Sequence, residues 1–433
     1  MRIGIVPVLN RSWGGVYQYS VTLLDALAEV NSGDEFLLFI PKNHKPPSEI
    51  SASPFQMVEM PESSTWLGRM WTRLPTSVRS RLAGLASPIR SKLLARRRRD
   101  STEDTTWREW FGPFGLDLLF FTIENDISYR TGVPYVVVVH DLQHKLQPQL
   151  PEFADRAEWE RREERMRNSI ANATLVVVDS EVGREDVLSC YSELGIAEDA
   201  VRPLPFVPAH YVAAVVPEVE LRRVRVAQDL PEMYLFYPAQ FWPHKNHKRI
   251  VEALGLLARE GLRLPLVLVG SRGESALRAE TFATVMQTAR ELGVDDLVRY
   301  LGYVGDDDMS ALYAQATALV MPTFFGPTNI PILEAWRLGC PVITSDIRGV
   351  REQAGDAAVL VDPSSAQSIA EGIRRIVSSE SLRTELIARG HARVSAYTIH
   401  DFARRLAGIL DEAKSRVLAD RPGVAPHADG GVS

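Results

Sequence analysis

Cysteine is scarce in this chain of 433 residues, which contains only Cys190 and Cys340. Two distant cysteines, neither in a C-x-x-C pair, exclude the framework of a disulfide-rich secreted protein. Long hydrophobic runs are also lacking, because no window approaches the roughly 20 apolar residues of a transmembrane helix. The N-terminus, MRIGIVPVLNRSWGG, has no small-residue cleavage site after its short apolar run and is interpreted as a first strand. A cytoplasmic location is therefore expected.

Acidic residues are absent from one segment of a chain whose net charge is -6. From Arg69 to Arg99 the sequence carries nine arginines and Lys92, with apolar residues such as Trp71 and Leu82 between them. Such a pattern fits an amphipathic element resting on an anionic membrane, which would make the protein peripheral on the inner face of the cell membrane. A solvated basic insertion is the alternative. Nucleic acid is not expected as a partner because the whole chain is acidic.

The length of the chain predicts two domains, since one hydrophobic core rarely organises so many residues. Strand-like runs without polar alternation recur in both halves, and strands of this kind are buried on both faces of parallel sheets. The fold class is therefore α/β, with two doubly wound, Rossmann-like domains facing across a cleft. The predicted strands are Arg2–Val8, Glu35–Ile40, Asp117–Phe121, Pro134–His140, Thr174–Asp179, Met233–Pro238, Leu264–Gly270, Ala318–Met321, Pro341–Ser345 and Ala358–Val361.

Prolines between Pro203 and Pro231 interrupt regular structure and mark the domain boundary. The predicted division is an N-terminal domain over residues 1–208 with a basic insertion at about 66–100, and a C-terminal domain over residues 209–396. An amphipathic last helix follows over about 397–418, and residues 419–433 are predicted to be a disordered tail.

The stretch from Gly326 to Asp346 reads as loop, helix and strand, with Pro331 in the first helical turn and Gly339 after the last. The free N–H groups at such a helix start favour phosphate or carboxylate. Glu334, one turn into the helix, would repel an anion unless it contacts a hydroxyl-rich part of the same ligand. A nucleotide ribose fits this requirement.

Ligands of open parallel sheets bind where strands end, so the residues that follow the other strands are further candidates. Gly14 and Gly15 either let the backbone approach a ligand or form only a tight turn. His140 either contacts a sugar hydroxyl or is structural, and Asp141 either fixes its tautomer or caps the next segment. Lys245 precedes a helix, where a fixed cation would neutralise a departing diphosphate; the alternative is a solvated basic turn.

Three further segments are weaker candidates. The segment Gly270-Ser-Arg272-Gly would border a phosphate, and Leu301-Gly-Tyr303-Val304-Gly would border a nucleobase. The run Asp306-Asp-Asp308 is interpreted as an acidic first helical turn rather than a metal site.

Together these motifs resemble the retaining GT-B glycosyltransferases of the large family 4 group. The resemblance covers most of the chain, and its most specific part is the order of LVGSRGE at 268–274, LGYV at 301–304 and PILEAWRLGCPVITSD at 331–346. It implies a nucleotide-sugar donor bound mainly by the C-terminal domain and an acceptor bound mainly by the N-terminal one. It also implies no cofactor, no obligatory metal, and a last helix that crosses back to the first domain.

The resemblance also implies roles for individual residues. Glu334 matches the second glutamate of the family's E-x7-E motif, on the ribose hydroxyls, and His140 matches the histidine near the transferred sugar. Lys245 matches the lysine on the diphosphate. The other residues expected to bind the donor, through the backbone or at its phosphates and base, are Gly14, Gly15, Gln240, Gly270, Arg272, Tyr303, Val304, Thr328, Asn329 and Ile330.

Two positions depart from the family pattern. Gly326 stands where the family has its first glutamate, and Gln240 stands where an arginine usually accompanies Lys245. The expected function is the retaining transfer of a hexose or deoxyhexose to a saccharide or lipid-linked saccharide, in the biosynthesis of surface polysaccharide or another glycoconjugate. A non-catalytic GT-B subunit that binds a sugar nucleotide and a GT-B sugar-nucleotide epimerase are the alternatives.

Overall fold

The computed structural model describes residues 1–30, 33–42, 55–61, 102–209, 211–212, 215–272 and 275–420. The basic segment Arg69–Arg99 and the insertion predicted at about 66–100 lie outside the described residues, and so does the predicted tail beyond Asp420. None of the described helices combines the length and the apolar character needed to cross a membrane.

The first half of the chain forms a seven-stranded parallel sheet with the order β3-β2-β1-β4-β5-β6-β7. Its central strands are apolar throughout because helices cover both faces of the sheet. The strands are β1 (Arg2–Val6), β2 (Glu35–Pro41), β3 (Phe55–Met60), β4 (Leu118–Phe121), β5 (Tyr135–Val138), β6 (Leu175–Val178) and β7 (Val201–Pro203).

The second half forms a six-stranded parallel sheet with the order β10-β9-β8-β11-β12-β13. The predicted fold of two doubly wound α/β domains is therefore confirmed, and every strand predicted from the sequence is present. The strands are β8 (Leu235–Pro238), β9 (Leu266–Val269), β10 (Val298–Tyr300), β11 (Ala318–Met321), β12 (Val342–Ser345) and β13 (Val359–Val361).

Helices connect the strands in both halves. Those of the first half are α1 (Gly15–Glu29), α2 (Thr102–Phe111), α3 (Gln143–Leu146), α4 (Arg156–Ala171) and α5 (Glu181–Cys190). Those of the second half are α6 (Glu218–Ala227), α7 (His247–Arg259), α8 (Ala276–Glu291), α9 (Asp306–Gln315), α10 (Ile330–Arg337), α11 (Arg348–Ala354), α12 (Ala366–Ser378), α13 (Glu380–Ser395) and α14 (Ile399–Ala419).

The strand order reverses at one point in each sheet, between β1 and β4 in the first and between β8 and β11 in the second. In open parallel sheets the crevice beyond the carboxyl ends of such strands is where ligands bind. The loops that follow these four strands therefore form the walls of the candidate site.

The last helix, α14, follows the second sheet in sequence but packs on the first. A capping box formed by Thr398 and Asp401 begins it. Its apolar residues Phe402, Leu406 and Leu410 are buried in the same core as the strands and α1 of the N-terminal half. Ion pairs of Glu412 with Arg202 at 2.7 Å and of Lys414 with Asp34 at 2.8 Å lie beside this core.

Candidate functional site

The turn after β1 lies against the C-terminal half of the chain. A short 3-10 turn, Arg11–Trp13, leads into Gly14, whose φ of 54° favours glycine. A Cβ atom at Gly14 would lie 3.5 Å from Nε2 of Gln240, and one at Gly15 would lie 3.8 Å from Cδ1 of Ile330. Both glycines thus bring the backbone of the first domain close to residues that follow β8 and β11.

Gln240 links the two halves of the chain through its side-chain amide. Its Nε2 donates a hydrogen bond to the carbonyl oxygen of Ser12 at 2.7 Å. Its Oε1 accepts hydrogen bonds from Trp242 Nε1 at 3.1 Å and from Arg278 Nη1 at 2.8 Å. The amide therefore joins the glycine turn of one domain to a guanidinium group of the other.

Lys245 ends a 3-10 turn that starts at Pro243. The next residue, Asn246, has a φ of 61° and is held by hydrogen bonds from its side-chain nitrogen to the carbonyl oxygens of Pro322 at 2.8 Å and Pro363 at 2.7 Å. Burial lowers the pKa of Lys245 to about 8, while the negative charges of Asp141 and Glu152 oppose this shift. A partly desolvated cation thus lies at the end of β8.

His140 follows β5, and its Nε2 lies 2.8 Å from the carbonyl oxygen of Thr122. A carbonyl only accepts, so Nε2 carries the proton and Nδ1 has a free lone pair. Burial lowers the pKa of His140, which favours the neutral ring. The Thr122 carbonyl, rather than Asp141, therefore fixes the tautomer.

Asp141 binds the first backbone N–H of α3 from the residue before its N-cap, Leu142, which is closer to the capping alternative that the sequence left open. Its Oδ1 accepts hydrogen bonds from the backbone N–H of Gln143 at 3.0 Å and from Arg162 at 2.8 Å. Burial by itself raises the pKa of Asp141, but Arg162 and the Gln143 N–H outweigh it and leave the pKa below its usual value. Asp141 is consequently a charged group in the electrostatic surroundings of Lys245.

The loop after β11 is fixed by a close steric contact and by hydrogen bonds. Gly326 has a φ of 134°, and a Cβ atom there would lie 2.8 Å from Oδ1 of Asn329. The backbone N–H of Asn329 donates to Gln353 Oε1 at 2.9 Å, and Gln353 Nε2 donates to the Asn329 carbonyl oxygen at 2.9 Å. The hydroxyl of Thr328 donates to the carboxylate of Asp179 in the first domain. Glycine at position 326 is therefore a steric requirement of this loop.

Glu334 lies on α10 with its carboxylate buried between two tyrosines. Tyr211 donates to Oε1 at 2.7 Å, and Tyr313 donates to Oε2 at 2.6 Å. Burial raises the pKa of Glu334, while these two hydrogen bonds oppose the shift. A hydroxyl-bearing ligand can bind there either through the second acceptor site of each oxygen or by displacing the tyrosine from one of them.

The segments after β9 and β10 lie at the carboxyl-end edge of the second sheet, as do the loops after β8 and β11. A Cβ atom at Gly270 would lie 2.4 Å from the carbonyl oxygen of Ala239, so only glycine fits. The guanidinium of Arg272 lies 4.9 Å from the ring centroid of Phe282. Tyr303 is 63% exposed, whereas Val304 is buried in the core. Of the two residues matched to the base, Tyr303 is therefore the accessible one.

Several contacts across the cleft involve residues that the sequence did not single out. Gln147 donates to the carbonyl oxygen of Phe324 at 2.9 Å. Glu152 accepts hydrogen bonds from the backbone N–H of His244 at 2.9 Å and from its Nδ1 at 2.8 Å. Asp179, the acceptor from Thr328 across the same cleft, did carry a usable signal, because it directly follows the apolar strand β6.

The acidic run is the first turn of α9, as predicted. Asp308 pairs with Arg223 at 2.6 Å, and Asp306 lies 3.8 Å from Arg11. Within the described ranges, no group of three or more histidine, cysteine, aspartate or glutamate residues is arranged to hold a metal ion.

The sequence of the second domain matches a known protein family. Residues 220–393 match the family model described as "Glycosyl transferases group 1". Similar curated proteins include O-antigen chain mannosyltransferase B of Escherichia coli, which is 28% identical over 259 residues, and D-inositol 3-phosphate glycosyltransferase of Saccharomonospora viridis, which is 27% identical over 280 residues. The aligned regions cover 57% and 61% of this chain, and 63% and 62% of those two proteins. The chain thus spans somewhat less than two thirds of the length of these relatives.

Solved structures match over nearly the whole chain. Sucrose-phosphate synthase from Thermosynechococcus elongatus has a TM-score of 0.70 at 19% identity, covering 96% of this chain and 99% of that one. The Anabaena protein HepE, in complex with UDP-glucose, has a TM-score of 0.65 at 16% identity, covering 95% and 99%. At such identities these similarities establish the fold alone. The chain thus has the two-domain GT-B fold, and its second domain matches the glycosyl transferases group 1 family.

Proposed function

We propose that this protein is a retaining glycosyltransferase that transfers a hexose or deoxyhexose from a nucleoside-diphosphate sugar to a saccharide or lipid-linked saccharide. One observation carries the proposal: the amide of Gln240 bonds the Ser12 carbonyl at 2.7 Å, so the glycine turn after β1 meets the end of β8 across the cleft. The family match of residues 220–393 supports a nucleotide-sugar donor in the second domain.

Lys245 is the proposed partner of the donor diphosphate. Negative charge grows on the leaving phosphate as its bond to the sugar breaks, and a fixed cation in a partly buried site stabilises that charge. Burial lowers the pKa of Lys245 to about 8, so the lysine remains largely protonated near neutral pH. With a cationic side chain in this role, we expect the reaction to need no cofactor and no obligatory metal.

Retention follows a front-side path in this proposal. The bond between the anomeric carbon and the phosphate oxygen breaks, and the bond to the acceptor oxygen forms on the same face of the sugar. The proton of the acceptor hydroxyl moves to the departing phosphate oxygen. Neutral His140 contributes by accepting a hydrogen bond from a sugar hydroxyl at Nδ1, because its Nε2 is already bound to Thr122.

Relatives support a role in the biosynthesis of surface polysaccharide or another glycoconjugate. They include the O-antigen mannosyltransferase and a lipopolysaccharide core glycosyltransferase of Rhizobium meliloti, which is 29% identical over 185 residues. A lipid-linked acceptor would require contact with the inner face of the membrane, and the basic segment Arg69–Arg99 is the proposed contact. Co-sedimentation with liposomes should increase with their anionic lipid content; indifference to that content would count against the membrane role.

Two other functions remain candidates. Gly326 and Gln240, which replace the family's acid and arginine, are the features that favour a non-catalytic subunit binding a sugar nucleotide. An epimerase of the same fold would convert its nucleotide sugar without any acceptor. The products formed by the isolated chain, with and without a saccharide acceptor, distinguish the three functions.

The direct test begins with thermal shifts in UDP, GDP, dTDP and ADP, because stabilisation by one nucleotide identifies the donor base. Transfer from the corresponding nucleotide sugars is then assayed for the wild-type protein and for Lys245→Ala and Glu334→Gln. Both variants should lose most of the activity. Lys248→Ala is the matched control, since Lys248 lies on α7 with its charge near Glu252 at 3.5 Å. Unchanged donor turnover in Lys245→Ala and Glu334→Gln would refute the assignment.

A further inference from the structure

The amide of Gln240 binds a positive charge that comes from another part of the chain. Its Oε1 accepts a hydrogen bond from Nη1 of Arg278 at 2.8 Å, and the same guanidinium lies 5.0 Å from the ring centroid of Trp242. The chain therefore has no arginine at position 240, but it has an arginine bound to the residue at that position.

Arg278 is held without a carboxylate partner among the described residues. Its hydrogen bond goes to an uncharged amide, and its Nε is buried with no partner in the described part of the chain. Many other arginines of the second domain are paired with acids, such as Arg263 with Asp296 at 2.7 Å. A partly buried guanidinium that no carboxylate of the described residues neutralises is a strong site for an anion, because it can form two parallel hydrogen bonds with phosphate oxygens.

The position of Arg278 on its helix is unfavourable for a merely structural role. It is the third residue of α8, whose first turn carries no acidic residue. The positive end of a helix dipole disfavours a cation at this place and favours an anion. A bound anion would offset the repulsion between the guanidinium and the positive end of the helix dipole, and the dipole would itself attract the anion.

The guanidinium is hydrogen-bonded to the residue that links the two walls of the cleft. The amide that accepts its hydrogen bond also donates to the Ser12 carbonyl at 2.7 Å, and a Cβ atom at Gly14 would lie 3.5 Å from that amide nitrogen. Trp242 contacts Arg278 from the same loop that carries Lys245, so the loop after β8 bears one cation and binds the other.

We propose that Arg278, oriented by Gln240 and Trp242, binds the diphosphate of the donor and supplies the charge that the side chain at position 240 lacks. This inference rests on the proposed function, since it assigns a further residue to the same donor site. It also explains how glutamine is tolerated beside the glycine turn: the amide connects the turn to the cation instead of carrying the charge itself.

The test compares binding of a nucleoside diphosphate with binding of its nucleoside, using UDP with uridine or GDP with guanosine as the thermal-shift panel selects. Titration calorimetry should find the Arg278→Gln variant weakened about tenfold or more for the diphosphate and unchanged within about twofold for the nucleoside. The double variant Arg278→Gln/Gln240→Arg should recover diphosphate affinity. It exchanges the two residues, so that position 240 carries the positive charge and position 278 carries the amide. Arg290→Gln, on the last turn of α8, is the control and should bind like the wild type.

The outcomes separate the inference from the function on which it rests. If the wild type prefers the diphosphate and Arg278→Gln binds it equally well, Arg278 has no role and the donor site stands. If the variant loses nucleoside and diphosphate affinity by the same factor, the residue only supports the fold, and the inference is overturned. If the wild type binds none of the nucleotides, both the inference and the proposed function fail.

Discussion

The hydroxyl of Tyr211 lies 2.7 Å from Oε1 of Glu334, which joins the segment between the domains to the helix of the candidate donor site. Tyr313 holds the other carboxylate oxygen from the core of the second domain at 2.6 Å. The electrostatic surroundings of Tyr211 also include Asp306 and Tyr303. Tyr211 is therefore bound to the carboxylate proposed for the ribose, and the tyrosine proposed for the base belongs to its electrostatic surroundings.

The first prediction is that Tyr211 competes with a bound nucleotide for Glu334. Tyr211→Phe should bind the selected nucleoside diphosphate about threefold to tenfold more tightly, because the ribose no longer displaces a hydrogen bond of about 1 kcal/mol. Without nucleotide the variant should be less stable, since Glu334 stays buried with one partner fewer. Calorimetric titration and urea unfolding measure the two effects.

Tyr313→Phe is the matched control for this prediction. Tyr313 is fully buried on α9 and donates to the other oxygen of Glu334, where no ligand can replace it, so its loss should lower stability and, by loosening Glu334, nucleotide affinity. Weaker nucleotide binding by Tyr211→Phe would show instead that Tyr211 stays in contact with the carboxylate when the donor binds.

Strand patterns made most of the fold predictable, and the exceptions have physical causes. Strands such as β4 and β6 are apolar throughout because both faces of their sheet are covered. The edge strand β3 was missed because its sequence, FQMVEM, mixes polar and apolar residues over a partly exposed face. The strands β7 (VRP) and β10 (VRY) span three residues each with an arginine in the middle, so they lack the apolar run that marks the equally short β13 (VLV).

The residues that follow strands also made much of the candidate site predictable, but the site residues that lie on other elements were not predicted. His140, Gln240 and Gly326 were found because each follows a strand. Arg278 lies in the first turn of a helix and Tyr211 in the segment between domains, and neither position carries a local signal. Contacts such as Glu152 with His244 depend on how the two domains face each other, which no local pattern encodes.

The second prediction concerns Gly326, where the family resemblance would suggest restoring an acid. Gly326→Glu and Gly326→Ala should both lower stability by about 1–3 kcal/mol and reduce donor turnover, because non-glycine residues are strained at such a φ. The Cβ atom would in addition meet the side chain of Asn329 at 2.8 Å. Unfolding free energies and transfer rates measure both effects.

Gly305→Ala is the control for the substitution at Gly326. Gly305 precedes α9 with a φ of -70°, and no atom would lie within 4 Å of an added Cβ. Its replacement should cost no more than about 1 kcal/mol, the difference between glycine and alanine at a helix N-cap, with no steric conflict added. A Gly326→Glu variant with higher activity than the wild type would contradict the steric explanation.

The third prediction is a pH dependence caused by Asp179. Burial raises the pKa of Asp179 to about 7, although hydrogen bonds from Thr328 and Ser180 oppose the shift. An unfolded aspartate titrates near about 3.9, so the native state holds one proton more than the unfolded state between these values. Stability should therefore fall as the pH rises from about 4 to about 7, then level off.

Urea unfolding of the wild type and Asp179→Asn between pH 5 and pH 8 isolates this contribution. The wild type should lose on the order of 2 kcal/mol relative to the variant across that range. Asp401→Asn is the control. Hydrogen bonds from the backbone and side chain of Thr398 lower the pKa of Asp401, so its titration changes stability only at pH values below the measured range. Parallel pH profiles for the wild type and Asp179→Asn would contradict the prediction.

The fourth prediction is that the last helix stabilises the first domain rather than the one it follows in sequence. Leu406 on α14 is fully buried in the core that contains the strands of the first sheet. Leu406→Ala should lower the free energy of unfolding by about 2–5 kcal/mol, through lost burial and the cavity left behind. Leu418→Ala, on the same helix but 46% exposed, should change it by less than about 0.5 kcal/mol.

Hydrogen exchange of the Leu406→Ala variant should show loss of protection in β1, β4 and α1, since these elements share the core with the last helix. A loss of protection confined to the second sheet would contradict the prediction, because it would mean that α14 packs on the second domain in solution.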